Sequence, residues 1–146
     1  MNGKSATSPE SNDKTPSSNL TVTVVEDSIL MRAHIVACLS AIKGIGAIRQ
    51  AGDVPSGLQL LETLKPDVLI LEIQLPGLTG LQLLKAVRKT DASMVIIVLT
   101  HHDQARLRKR CAELGANYFF SKSSEFERVA EVCRDLADGR AQKAGS

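Results

Sequence analysis

Lys65–Gly80 reads KPDVLILEIQLPGLTG, and the fold turns on how this stretch is taken. Its centre, Val68-Leu69-Ile70-Leu71, is apolar without alternation, the pattern of a strand covered on both faces. Pro66-Asp67 introduces the run, and Glu72 stands at its carboxyl end. Pro76, Gly77 and Gly80 follow, residues suited to a backbone that turns sharply beside a site. A dry strand that delivers an acid into a Gly/Pro loop marks a place for chemistry.

On the amino side, LTVTVVEDS from Leu20 to Ser28 alternates and then turns continuously apolar, a strand ending in Glu26-Asp27. Ser28 is placed to cap a helix from about Ile29 to Lys43, with Leu30, Ala33, Ile35, Val36 and Leu39 as apolar stripes and Gly44 and Gly46 as its stop. A short strand over Ala47–Ala51 precedes Asp53, and a second helix over Ser56–Leu64 turns Leu58, Leu61 and Leu64 inward.

On the carboxyl side, a third helix over Leu81–Lys89 precedes the apolar strand Met94–Thr100. A fourth helix over Asp103–Leu114 is closed by Gly115, and a fifth strand over Asn117–Ser121 leads into Lys122. Ser123 or Ser124 is expected to cap the last helix, striped by Phe126, Val129, Val132, Cys133 and Leu136. Residues 1–19 carry almost nothing to bury and read as a disordered arm, 20–138 as the domain, and 139–146 as a flexible polar tail.

Five alternating strand–helix units, with strands 1, 3 and 4 apolar throughout, predict an α/β, doubly wound parallel sheet. The 146 residues suffice for one core, and 43% hydrophobic with 23% charged residues is ordinary for a globular chain. A net charge of +2 gives no argument for nucleic acid, and no apolar run nears the roughly 18 residues of a membrane span. Cys38, Cys111 and Cys133 lack metal-ligand spacing and read as reduced thiols of a cytoplasmic protein.

In a parallel sheet the strand carboxyl ends share one edge, and the site lies there. That edge should gather Glu26 and Asp27 from strand 1, Glu72 from strand 3, Thr100 from strand 4 and Lys122 from strand 5. Three carboxylates against one ammonium leave about −2 if all ionise, so either a divalent cation binds or one acid keeps its proton. Oxygen ligands favour Mg²⁺ or Mn²⁺ over zinc.

With VVEDS, PDVLILEIQLPGLTG, VIIVLT and GANYFFSKS in this order, the chain resembles the receiver domain of bacterial two-component response regulators over Leu20–Ala137. The resemblance implies a flavodoxin-like sheet of order 2-1-3-4-5 with five helices. It implies Mg²⁺ held by Glu26, Asp27, Glu72 and the Gln74 carbonyl, a phosphoacceptor at position 72, and Thr100 and Lys122 on the phosphoryl oxygens. Thr100 and Phe119 become the switch pair, and helix 4–strand 5–helix 5 the output face or a homodimer surface. The basic run Arg106, Arg108, Lys109 and Arg110 lies on that face and is read either as a solvated surface or as a partner contact. Partners are then a histidine kinase or phosphotransfer protein upstream and a protein target downstream, with no direct nucleic-acid contact, because fewer than ten residues remain after helix 5.

The family's acceptor is aspartate, and this chain has Glu72. The extra methylene moves the carboxylate about 1.5 Å outward, and in-line attack tolerates such displacement poorly. The expectation is an atypical, non-enzymatic, stand-alone receiver in which Glu72 impairs phosphorylation or partly mimics it. The alternative is a conventional phosphoaccepting regulator, with Glu72 engineered or still competent. A Mg²⁺-dependent phosphohydrolase of haloacid-dehalogenase type wants aspartates where Glu72 and Gln74 stand, and a nucleotide or flavin site wants a Gly-rich turn absent from VVEDSILM. His34 and the adjacent His101 and His102 read as surface or packed residues rather than metal ligands.

Overall fold

Five parallel strands and five helices alternate along the chain in a computed structural model that describes residues 19–75 and 79–145. The strands are β1 (Leu20–Val25), β2 (Ile45–Ala51), β3 (Val68–Leu71), β4 (Val95–Thr100) and β5 (Tyr118–Ser121). The helices are α1 (Ile29–Ser40), α2 (Val54–Thr63), α3 (Gly80–Thr90), α4 (Ala105–Glu113) and α5 (Phe126–Gly145). The sheet order is β2-β1-β3-β4-β5, as the resemblance implied.

All four residues of β3 are buried, which follows from two-sided cover. Alternate side chains of the central strands feed two cores. Val25, Leu69, Leu71, Ile96, Val98 and Phe119 join α2 and α3 residues in one. Val24, Val68, Ile70, Ile97, Leu99 and Phe120 join α1 and α5 residues in the other. Phe119 and Phe120 thus face opposite sides of the sheet.

Several boundaries differ from the sequence reading, each for a local reason. Helix α1 stops at Ser40, and its first turn stands clear of the core: Ile29 and Leu30 are 73% and 84% exposed, so Leu30 is not part of an inward stripe. Helix α2 starts at Val54 because Asp53 caps it, accepting the Ser56 N–H at 2.8 Å, and Pro55 suits a first turn that needs no donor. Leu64 lies past its end and is exposed. Helix α5 starts after Glu125, not at a Ser123 or Ser124 cap, and Glu125 Oε1 accepts the Ser121 N–H at 3.0 Å. The tail expected from 139 onward is helical through Gly145. Arg140 Nη2 meets Asp67 Oδ1 at 2.5 Å, an anchor at the amino ends of the strands that the polar composition concealed. The arm expected over 1–19 lies, apart from Asn19, outside the described residues, as do Pro76 and Gly77 of the β3–α3 loop.

Gly80 is required for that loop to close. A Cβ there would collide with Ile73 Cα and the Glu72 carbonyl oxygen, both main-chain atoms with nowhere to go. The Gly80 N–H donates to the Ile73 carbonyl at 2.9 Å, so α3 begins directly against the segment that presents Glu72. Gly80→Ala should therefore lower stability by about 1–3 kcal/mol, read as a lower urea midpoint at unchanged slope.

The cysteines are free; Cys111 and Cys133 are buried and Cys38 is half-buried. Burial pushes both the Cys111 and the Cys133 thiols up to about 11. Near pH 8 only roughly one in a thousand of either is thiolate. A thiol reagent should label one cysteine, Cys38, in the native protein and all three after unfolding; fast native labelling of Cys111 or Cys133 would contradict this burial.

Candidate functional site

The sheet's hydrogen-bond ladder runs one residue past β1, β3 and β5 and fixes where the polar residues start. Glu26 N–H donates to the Ala51 carbonyl at 3.0 Å, and Glu72 N–H to the Val25 carbonyl at 2.9 Å. Lys122 N–H donates to the Thr100 carbonyl at 2.9 Å. Parallel pairing of Val25 with Leu71 and of Thr100 with Ser121 thus sets Glu26, Glu72, Thr100 and Lys122 along one edge.

The side chains close on one another. Lys122 Nζ lies 2.7 Å from Glu26 Oε1 and 2.6 Å from Glu72 Oε1, with all three side chains at most 6% exposed. The two other carboxylate oxygens are also engaged. Glu26 Oε2 accepts the Ser28 N–H and Glu72 Oε2 the Gln74 N–H, each at 3.0 Å. Ser28 serves twice, because its Oγ also caps α1 by accepting the Met31 N–H at 3.2 Å.

Burial raises the Glu26 carboxyl above its ordinary range, against the lowering pull of the Lys122 and Ser28 hydrogen bonds. Burial also disfavours charge on Lys122, but hydrogen bonds to Glu26 and Glu72 outweigh it and hold the ammonium above its ordinary value. Deleting the lysine would leave two buried acids uncompensated, a loss on the order of 3–5 kcal/mol.

The structure brings Glu26, Glu72 and Lys122 together and sets Asp27 apart, exposed to solvent. Thr100 is fully buried, and its Oγ1 accepts the His102 N–H at 3.2 Å. His101 and His102 are exposed, and His34 stacks on Phe126 at 4.4 Å between ring centroids. Arg32 was not legible as a site residue. One helical turn beyond Ser28, its Nη1 donates to the Glu26 carbonyl at 2.6 Å, and a lone arginine on an amphipathic helix carries no signal of that.

The resemblance implies Mg²⁺ among these residues, and their donor set decides whether the ion fits. Among the described residues no group of three or more His, Cys, Asp or Glu side chains is placed to hold a metal ion. Lys122 Nζ occupies the point where an ion would collect both Glu26 and Glu72. Each carboxylate oxygen of the pair is already engaged, by the lysine or by a main-chain N–H. With the lysine in place, these residues do not fit the ion.

Phe119 is 8% exposed and roofed by Arg108, whose Cζ lies 4.6 Å from the ring centroid. Arg108 Nη1 donates to the Phe119 carbonyl at 2.9 Å, and Nη2 reaches Asp103 at 2.8 Å and Glu125 at 3.3 Å. Hydrogen bonding to Asp103 raises the guanidinium above its already high ordinary value. The basic run on α4 therefore divides. Arg108 is turned onto β5 and onto Glu125 just before α5, whereas Arg106, Lys109 and Arg110 are exposed, Arg110 lying 3.7 Å from Glu113.

No helix among the described residues is long and apolar enough to cross a membrane. Over 124 residues the chain is 31% identical to a protein-glutamate methylesterase/protein-glutamine glutaminase of Treponema pallidum, covering 82% of this chain and 31% of that protein. It is 38% identical over 84 residues to the DNA-binding transcriptional activator EvgA of Escherichia coli, covering 58% of this chain and 41% of that protein. The chain thus spans less than half the length of these curated relatives. The solved signal receiver domain of NarL from Mycobacterium tuberculosis superposes with a TM-score of 0.74 at 27% identity, covering 83% of this chain and 98% of that one. Residues 22–134 match the response regulator receiver domain family, and with a match of that extent the chain belongs to it.

Proposed function

We propose that this chain is a signalling switch of the two-component phosphorelay type, acting through protein contacts, in which Glu72 impairs phosphorylation and partly stands in for a phosphoryl group. The observation that carries the proposal is the Glu72 carboxylate itself, bonded to Lys122 Nζ at 2.6 Å and to the Gln74 N–H at 3.0 Å. Both oxygens of a nucleophile are then occupied, and the negative charge already lies against the lysine that a phosphoryl group would engage. The substitution is incomplete as mimicry. One carboxylate carries a single charge against about −1.5 to −2 for a phosphoryl group. Inverting a 1:99 equilibrium takes about 5.5 kcal/mol, more than one methylene supplies. The result is a biased receiver, intermediate between silent and fully active.

Upstream, the reading implies a histidine kinase or phosphotransfer protein; downstream, a protein target or a second copy docks on α4–β5–α5. Exposed Arg106, Lys109 and Arg110 would give that face a positive charge, and Phe119 beneath Arg108 would report the state of the site to it. The role is regulatory rather than enzymatic.

Intact-mass measurement after incubation with acetyl phosphate and Mg²⁺ tests the reading. The wild type should gain no phosphoryl mass, and Glu72→Asp should gain one. Efficient uptake by the wild type would sink the proposal, and equal inertness of both proteins would relocate the defect away from residue 72. Arg108→Ala should lower stability by about 1 kcal/mol, a small figure because the side chain is 42% exposed and screened. It should also broaden or shift the Phe119 ring resonances, with Arg108→Lys recovering only part because it lacks the planar fork.

A further inference from the structure

We propose that Lys122 is the resident cation of the strand-end site and that its clamp keeps divalent metal out, so that this domain holds its conformation without Mg²⁺. The inference rests on the receiver reading above, and it concerns what fills the site rather than what the site signals.

The argument is one of occupied atoms. Lys122 Nζ stands 2.7 Å from one acid and 2.6 Å from the other, with its side chain 4% exposed. The second oxygen of each acid accepts a main-chain N–H, from Ser28 and from Gln74. The Glu26 carbonyl oxygen is taken by Arg32 Nη1 at 2.6 Å. Mg²⁺ demands near-ideal octahedral oxygen ligation and gives up water reluctantly. Here every carboxylate oxygen of the pair already has a donor, and Asp27 is turned to solvent. To enter, an ion would have to displace a buried ammonium from both of its partners, and the Lys122 N–H bond to the Thr100 carbonyl fixes the root of that side chain.

Glutamate at both positions is what makes the clamp. Each acid reaches about 1.5 Å further than aspartate, so carboxylates from β1 and β3 meet on one nitrogen. The lysine thereby acts as a specificity-determining residue. It neutralises one of the two charges and leaves a site of net negative charge too small in free oxygen atoms for a divalent ion.

The full chain and Lys122→Met are titrated with Mn²⁺, following the amide resonances of Glu26, Glu72 and Gln74, and melted in MgCl₂ and in NaCl of equal ionic strength. For the wild type we expect no saturable broadening at these amides and the same Tm in both salts. For Lys122→Met we expect saturable broadening at the same amides and a Tm that rises with Mg²⁺, as binding to the folded state alone requires. If that variant is unfolded without metal, folding on addition of Mg²⁺ is the supporting result. Saturable broadening in the wild type, or a folded Lys122→Met blind to both ions, overturns the inference; if the variant never folds, the wild-type titration decides. Metal binding by a wild type that takes up no phosphoryl group would defeat this inference alone. Phosphoryl uptake without metal binding would defeat the functional reading alone.

Discussion

One ammonium shared by two buried carboxylates is the constraint that the rest of this edge obeys. Lys122 cannot be dry without Glu26 and Glu72, and neither acid can be dry without Lys122. The arrangement is possible because hydrophobic strands bring the three Cα atoms to fixed positions before any polar preference is consulted. Main-chain bonds from Glu26, Glu72 and Lys122 to the neighbouring strands hold those positions. The apolar core thus supports an ion triad that would not assemble in water, where the Coulomb energy of a pair at contact is only about 1 kcal/mol.

The sheet was legible because its evidence is redundant. Uninterrupted apolar runs such as Val68–Leu71 and Val95–Thr100 require two-sided cover, and the alternation with helices leaves few topologies. The same logic placed Glu26, Glu72, Thr100 and Lys122 on one edge. What the pattern could not convey was which way each side chain would turn. Asp27 was grouped with the acids by adjacency, yet neighbours on a chain leaving a strand diverge, and it points to solvent. Arg32 and Arg108 carry no signal as tethers because their partners are main-chain carbonyl oxygens and a ring, which no residue pattern announces. The carboxyl end of α5 is hidden for a similar reason, since Arg140 gains its partner Asp67 only when the fold exists.

The two sides of the sheet are packed differently. On the α1–α5 side Phe120 packs into a core with Val129, Val132 and Cys133. On the other side Phe119 lies under Arg108, in contact with a charged residue that also touches Asp103 and Glu125. Adjacent residues of one strand therefore meet different surroundings, one apolar and one charged. Phe119 has no hydroxyl to reward an outward position, so its placement depends on packing and on the arginine above it.

The polar triad also has a place in time. Glu26 leaves the first strand and Lys122 follows the last, so their contact closes almost the whole domain and is among the least local in the molecule. Until β5 docks beside β4, both acids remain hydrated and mutually repelled at the open edge of a four-stranded sheet. Contacts of such sequence separation are entropically late. The ammonium then works as a latch on a nearly finished structure. Its strength is felt in how slowly the native state comes apart more than in how quickly it is reached.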